Sequence, residues 1–215
     1  MMGKRKYNMK IDRSKNMNTQ EMQKLADISL APYMQLATNL IGKARHAGGN
    51  MFRHQMDTLA ILIDYDYIDS VLLKASVVHD TVEDIPGFDR DLIKNADSEG
   101  EDVLKLVLEV TKREGEDKRQ FLKRILDEGS QKAKILKCAD RISNMISLGY
   151  VTDPGFIERY CNETEFFLFP MALEIDFNMY QELIGLVMTR RRYLEEGGYF
   201  CRLKKDSTPT KKENE

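Results

Sequence analysis

Cysteine and histidine are scarce in this chain, three of each among 215 residues. Cys138, Cys161 and Cys201 show no CxxC spacing and no paired framework, so they read as reduced thiols of a cytoplasmic protein rather than as a disulfide scaffold. No stretch approaches the ~20 apolar residues that a membrane span requires. No apolar run follows the basic start Lys4-Arg5-Lys6, so a secretory signal is not expected either. Internal repeats are missing, as are strand alternation and hairpin turns. An excess of one charge is also lacking: the formal net charge is −2 and the sequence pI about 6.0, which argues against a general nucleic-acid binder. Basic residues gather only at the ends, in Lys4-Arg5-Lys6, Lys204-Lys205 and Lys211-Lys212, where they read as solvated tails.

What is present is helical periodicity. The expected architecture is all-α: a loose arm over 1–18, one helical bundle over 19–200 and a disordered tail over 201–215. Asn18-Thr19 is placed to cap a first helix. A longer helix is expected from Pro32 to the stop at Gly48-Gly49, and another amphipathic segment after His54. A largely buried helix should run from Asp69 to Asp84, ended by Pro86-Gly87. Phe88–Ala96 is a short helix at best. Helices are expected over Glu101–Thr111, Arg119–Glu128, Ser130–Leu148, Asp153–Pro170 and Met171–Glu195. The Ser130–Leu148 helix is apolar around most of its circumference, from Ile135 to Leu148, the mark of a central element.

Two of these helices carry polar groups that an interior does not accept alone. The first holds His79-Asp80-Thr81-Val82-Glu83-Asp84 behind the apolar run Val71-Leu72-Leu73. At 100° per residue, His79, Asp80, Glu83 and Asp84 fall on one arc of about 140°. A divalent cation compensates imidazole and carboxylate together. The second is the central helix, where Asp140, Asn144 and Ser147 form a stripe at i, i+4 and i+7. The partners expected for this stripe are a metal and a substrate phosphate. Asp140 has the alternative of pairing with Lys137 or Arg141. His46 reads as a helix-end residue, and Arg190-Arg191-Arg192 as a solvated helix end.

The order His54, His79-Asp80, Asp140 on helical segments resembles that of the HD-domain metal phosphohydrolases. Val77–Asp84, VVHDTVED, is similar to the hydrolase box of the RelA/SpoT alarmone hydrolases and their small stand-alone relatives. Leu136–Met145, LKCADRISNM, resembles that family's KLADRLHNM box. Weaker likenesses flank these two: Lys43–Gly48, Val110-Thr111-Lys112, and Asn162-Glu163-Thr164 with Pro170-Met171-Ala172. The resemblance implies His54, His79, Asp80 and Asp140 as ligands of a divalent metal, Mn²⁺ with Fe²⁺ or Zn²⁺ as alternatives. It implies Glu83 and Asp84 as the catalytic acidic pair, and Asn144 and Ser147 as substrate contacts. The implied activity is removal of the 3′-pyrophosphate from (p)ppGpp, a phosphorylated guanine nucleotide, by a hydrolase-only chain. There is one departure. The loop before His54 is cut to Gly48–Arg53, and His54 is followed by Gln55 rather than proline. The family's substrate-binding arginine and lysine then have no clear counterparts, with Arg45 or Arg53 as substitutes. This leaves two other readings open: a phosphohydrolase for another phosphorylated nucleotide or cofactor, and a non-catalytic nucleotide-binding module.

Overall fold

Short polar side chains decide where most of these helices begin. The computed structural model describes residues 17–196. The 1–18 arm up to residue 16, the tail, Gly197-Gly198 and Cys201 lie outside the described residues. In chain order the helices are α1 (Thr19–Asp27), α2 (Ala31–Ala37), α3 (Met51–Asp64), α4 (Ser70–Val78), α5 (Thr81–Asp84) and α6 (Asp91–Lys94). They continue with α7 (Gly100–Val110), α8 (Lys118–Glu128), α9 (Gln131–Ser147), α10 (Pro154–Glu163), α11 (Phe169–Ile175) and α12 (Phe177–Glu195). Asn18, Asn50, Asp69, Asp117, Ser130, Asp153 and Asp176 each accept backbone N–H groups at a helix start, satisfying donors that a helix cannot bond internally. At α1 and α8 the cap is reciprocal, with Glu21 and Gln120 returning a bond to the cap residue's amide.

The described residues contain no strand, and the all-α expectation holds; only an isolated antiparallel bridge joins Ala44 to Asn50. Helix α9 lies at the centre, packed against α3, α7, α11 and α12. Its Leu136, Cys138, Ala139, Ile142 and Met145 are fully buried. Leu72, Leu73, Val77 and Val78 of α4 are buried in the same core as Val103, Val107 and Val110 of α7, and full burial of such a side chain stabilises by roughly 1.5–3 kcal/mol. The one cation in the α4 apolar run, Lys74, is buried but ion-paired with Asp97 and Glu99, each at 2.6 Å.

Five expectations are corrected. The helix expected from Pro32 to Gly48 ends at Ala37, followed by a 3₁₀ turn over Thr38–Leu40. The chain then folds back through Gly48 (φ 85°) and Gly49 (φ 72°), a left-handed pair that glycine adopts without strain. His54 lies inside α3 rather than before it. The Asp69–Asp84 helix is two helices that break at His79-Asp80, where the Thr81 hydroxyl turns back on the Val78 carbonyl. The single-helix wheel therefore does not describe the acidic stretch. The Met171–Glu195 helix breaks at Asp176, because that residue is extended and caps α12. A π-helical turn over Thr164–Leu168 carries α10 into α11. Arg190 and Arg191 are not a solvated end. Arg190 donates to the Met145 and Ile146 carbonyls at the end of α9, and Arg191 to Asn162 and Glu165.

Candidate metal centre

Two helices and the break after a third converge on a single point. His54 comes from the buried face of α3, His79-Asp80 from the break after α4, and Asp140 from the middle of α9. His54, His79 and Asp140 each offer a donor atom within 4.8 Å of the others, and all three are buried. His54 Nε2 lies 3.0 Å from Asp140 Oδ1 and 3.6 Å from Asp80 Oδ2. His79 Nε2 lies 3.3 Å from Asp80 Oδ2 and 3.8 Å from Asp140 Oδ1. Donors about 2.1 Å from one ion sit roughly 3.0–3.4 Å apart in octahedral or tetrahedral arrangement, so the 3.0 Å and 3.3 Å separations fit a shared cation and the 3.6 Å and 3.8 Å ones lie a little beyond that spacing.

The outer contacts hold the donors in the form a metal needs. His79 Nδ1 lies 2.8 Å from the Ser76 carbonyl. That carbonyl can only accept, so Nδ1 carries a proton in either charge state, and Nε2 is the nitrogen left to bind a cation or, without one, a second proton. The same Nε2 is buried without a hydrogen-bond partner. A buried polar atom left unpaired is costly, and a cation at this position satisfies it. On His54, Nδ1 faces the Ser143 hydroxyl at 2.9 Å. Asp140 splits its oxygens: Oδ2 accepts from Lys137 Nζ at 2.6 Å, while Oδ1 faces the imidazoles. Asp140 is thus paired with Lys137 and also lies beside both imidazoles.

Without a metal, a proton does part of its work. Burial lowers the His79 pKa, but the Asp80 carboxylate foremost and then Asp140 outweigh it and raise it to about 9. Burial likewise raises the acids, yet His79 and His54 hold Asp80 below the usual carboxylate range, and Lys137 with the two histidines holds Asp140 well below it. A raised folded-state pKa stabilises fully below the unfolded value near 6.5 and is lost as pH climbs through about 9. The chelated protein should therefore lose on the order of 3 kcal/mol of stability between pH 6 and 9.5, measured by urea unfolding in EDTA. A pH-independent midpoint over that window contradicts this charge state.

Above the donors opens a cavity of about 310 Å³. Glu83 and Asp84 line one side. The Glu83 carboxylate accepts the Lys112 amide at 3.2 Å, and Asp84 is paired with Lys43 at 2.6 Å. Lys43, Arg45, Lys118, Lys137 and Arg141 also line it, with Phe121, Phe156 and Tyr160. Arg45 reaches the polar stripe of α9: its guanidinium donates to Asn144 Oδ1 at 2.8 Å and to Ser147 Oγ at 3.1 Å. Asn144 in turn donates to Asp140. The stripe thus meets an arginine that continues into the cavity. Arg53 is exposed on the first turn of α3 and does not line it. His46 lies in the loop, not at a helix end, with its ring 4.7 Å from that of Phe156.

Sequence reasoning missed Lys118 and the aromatic wall. Lys118 starts α8 on the exposed side, but its ammonium lies 5.3 Å over the Phe121 ring. There the surrounding protein, then Lys137 and Arg141, lower its pKa to about 8. Nothing in the charged stretch Glu114–Arg119 marks that lysine. Arg141 left a signal: a cation on an otherwise apolar helix must find compensation, and it finds Tyr160, whose ring centre is 4.2 Å from its guanidinium carbon.

No protein-family model and no curated protein matches the sequence. Several solved structures are similar to this chain; one of them covers 82% of its length and is itself covered to 98%, with a TM-score of 0.62 and 21% identity. This chain shares its fold. That structure is of a metazoan ortholog of SpoT that hydrolyses ppGpp and plays a role in starvation responses. No described helix is long and apolar enough to cross a membrane.

Proposed function

We propose that this protein is an HD-type, metal-dependent phosphohydrolase that removes pyrophosphate from the 3′ position of (p)ppGpp. The observation that carries the reading is the convergence of His54, His79, Asp80 and Asp140, three of which (His54, Asp80 and Asp140) line a cavity together with five cationic side chains. Such a lining suits a ligand with several phosphates. Its similarity in fold to a ppGpp hydrolase supports the same substrate. The four side chains would hold Mn²⁺, or Fe²⁺ or Zn²⁺, and their mixed nitrogen and oxygen donors suit any of the three. The bound ion supplies Lewis acidity, lowering the pKa of a water and polarising a phosphate.

The chain's own residues do the rest. Glu83 takes a proton from the attacking water as the new phosphorus–oxygen bond forms. The bond from phosphorus to the 3′-oxygen breaks, and a proton returns to that oxygen, leaving a 3′-hydroxyl and free pyrophosphate. Asp84, fixed by Lys43, lines the same side of the cavity. Lys118, Lys137 and Arg141 neutralise the departing phosphates. Arg45 supplies a fork for a phosphate from a mount already fixed by Asn144 and Ser147.

The test is incubation of Mn²⁺-loaded protein with ppGpp, reading GDP and pyrophosphate. Absence of both sinks the alarmone reading. Arg45→Ala should raise KM by roughly 10- to 100-fold, the worth of a charge-assisted hydrogen bond or two, with kcat changed far less. An unchanged KM in steady-state assays removes Arg45 from the substrate site.

A further inference from the structure

Gln55 lies next to His54 on α3, is wholly buried and does not line the cavity. Its Nε2 donates to Asp80 Oδ2 at 2.9 Å. That is the same oxygen that faces His79 Nε2 at 3.3 Å and His54 Nε2 at 3.6 Å. Its Oε1 is buried with no hydrogen-bond partner. Turning the amide over would set Oε1 against a carboxylate oxygen, two acceptors face to face, so Asp80 fixes its orientation. A residue present only for packing here would be apolar, since a buried unpaired acceptor destabilises the fold. The chain keeps the amide, and the visible return is one directed hydrogen bond onto a carboxylate that faces both imidazoles.

We infer that Gln55 is a positioning residue for the metal centre, fixing the rotation of Asp80 so that Oδ2 stays turned toward His54 and His79. This rests on the metal-binding reading above. An outer hydrogen bond to a ligating carboxylate orients it and is worth about 10- to 100-fold in metal affinity. The sequence departs from its resemblance at this residue, because a proline after His54 has no side-chain donor.

The experiment is titration of chelated full-length protein with Mn²⁺ by calorimetry, together with melting curves with and without the metal. The wild type is compared with Gln55→Met, which keeps length and burial and removes the donor. The expected result is a Kd for Mn²⁺ about 10- to 100-fold weaker, with a metal-free Tm within about 3 °C of wild type. The metal-induced rise in Tm should shrink in step. A purely structural Gln55 gives the reverse pattern, a lowered metal-free Tm with an unchanged Kd, and overturns the inference. If Gln55→Met does not fold, Gln55→Asn, whose amide is one methylene too short for Asp80, is held to the same criterion. Wild-type protein that binds no Mn²⁺ refutes the metal reading itself. Tight binding by wild type and variant alike refutes only the role of Gln55.

Discussion

Replacing Asp140 with alanine is expected to lower ppGpp turnover by roughly 10³-fold or more, a barrier increase on the order of 4 kcal/mol, and to destabilise the metal-free fold by about 3–5 kcal/mol. Both effects follow from one carboxylate with several partners. Its Oδ1 faces His54 Nε2 at 3.0 Å, and its Oδ2 holds Lys137 Nζ at 2.6 Å. Asn144, which carries Arg45, donates to the same side chain. Removing it takes away a proposed metal donor, leaves the buried Lys137 ammonium without its carboxylate and loosens the mount of Arg45. A buried cation stripped of its partner is the costly case, because desolvation is no longer offset by attraction. Manganese calorimetry, turnover and urea unfolding of Asp140→Ala measure the three consequences separately. Turnover within tenfold of wild type would remove Asp140 from the metal centre. A stability loss below about 1 kcal/mol would show that Lys137 does not depend on it.

The double role of Asp140 also marks how far the sequence could be read. Its place on a central helix was legible because Ile135, Leu136, Cys138, Ala139 and Ile142 surround it with apolar positions, and the i, i+4, i+7 stripe named its face. The helix starts were legible where a cap residue precedes the element, as at Asn18, Ser130 and Asp153. The break at His79-Asp80 was not, because both residues keep right-handed backbone angles, φ −60° and −95°, and no glycine or proline announces the turn. The stretch from Ile41 to the Gly48-Gly49 stop was read as helix for a related reason. Apolar spacing continues through Leu40 and Ile41, while the reversal depends on Gly48 and Gly49 several residues later. Lys118 was illegible because its role comes from α8 docking beside α9, a long-range contact without a local signature. Gln55 could be seen only as a departure from a resemblance; its hydrogen bond to Asp80 spans 25 positions.

Glu83→Gln should lower kcat by about 10²- to 10⁴-fold, the usual worth of a positioned general base, while Mn²⁺ affinity stays within a few fold of wild type. Glu83 and Asp84 are adjacent in sequence but differently held, and this divides their tasks. Asp84 is bound by the Lys43 ammonium at 2.6 Å, and the same ammonium donates to the Asp84 carbonyl at 3.0 Å. Asp84 is thus tied to Lys43 through both its side chain and its backbone. Glu83 has one neutral contact, the Lys112 amide at 3.2 Å on Oε2, so its other oxygen is the better placed to take a proton at the cavity wall. Among the described residues neither belongs to the cluster of His54, His79 and Asp140, and neither pairs with the imidazoles as Asp80 does, which is why the amide should spare binding and remove chemistry. Asp84→Asn should act differently, releasing Lys43 and raising KM more than it lowers kcat. Steady-state kinetics on both variants, with calorimetry to confirm that each still binds Mn²⁺, separate the two roles. If Glu83→Gln retains more than a tenth of wild-type kcat while Asp84→Asn is inactive, the proton passes through Asp84, and the Lys43 pair must open during turnover.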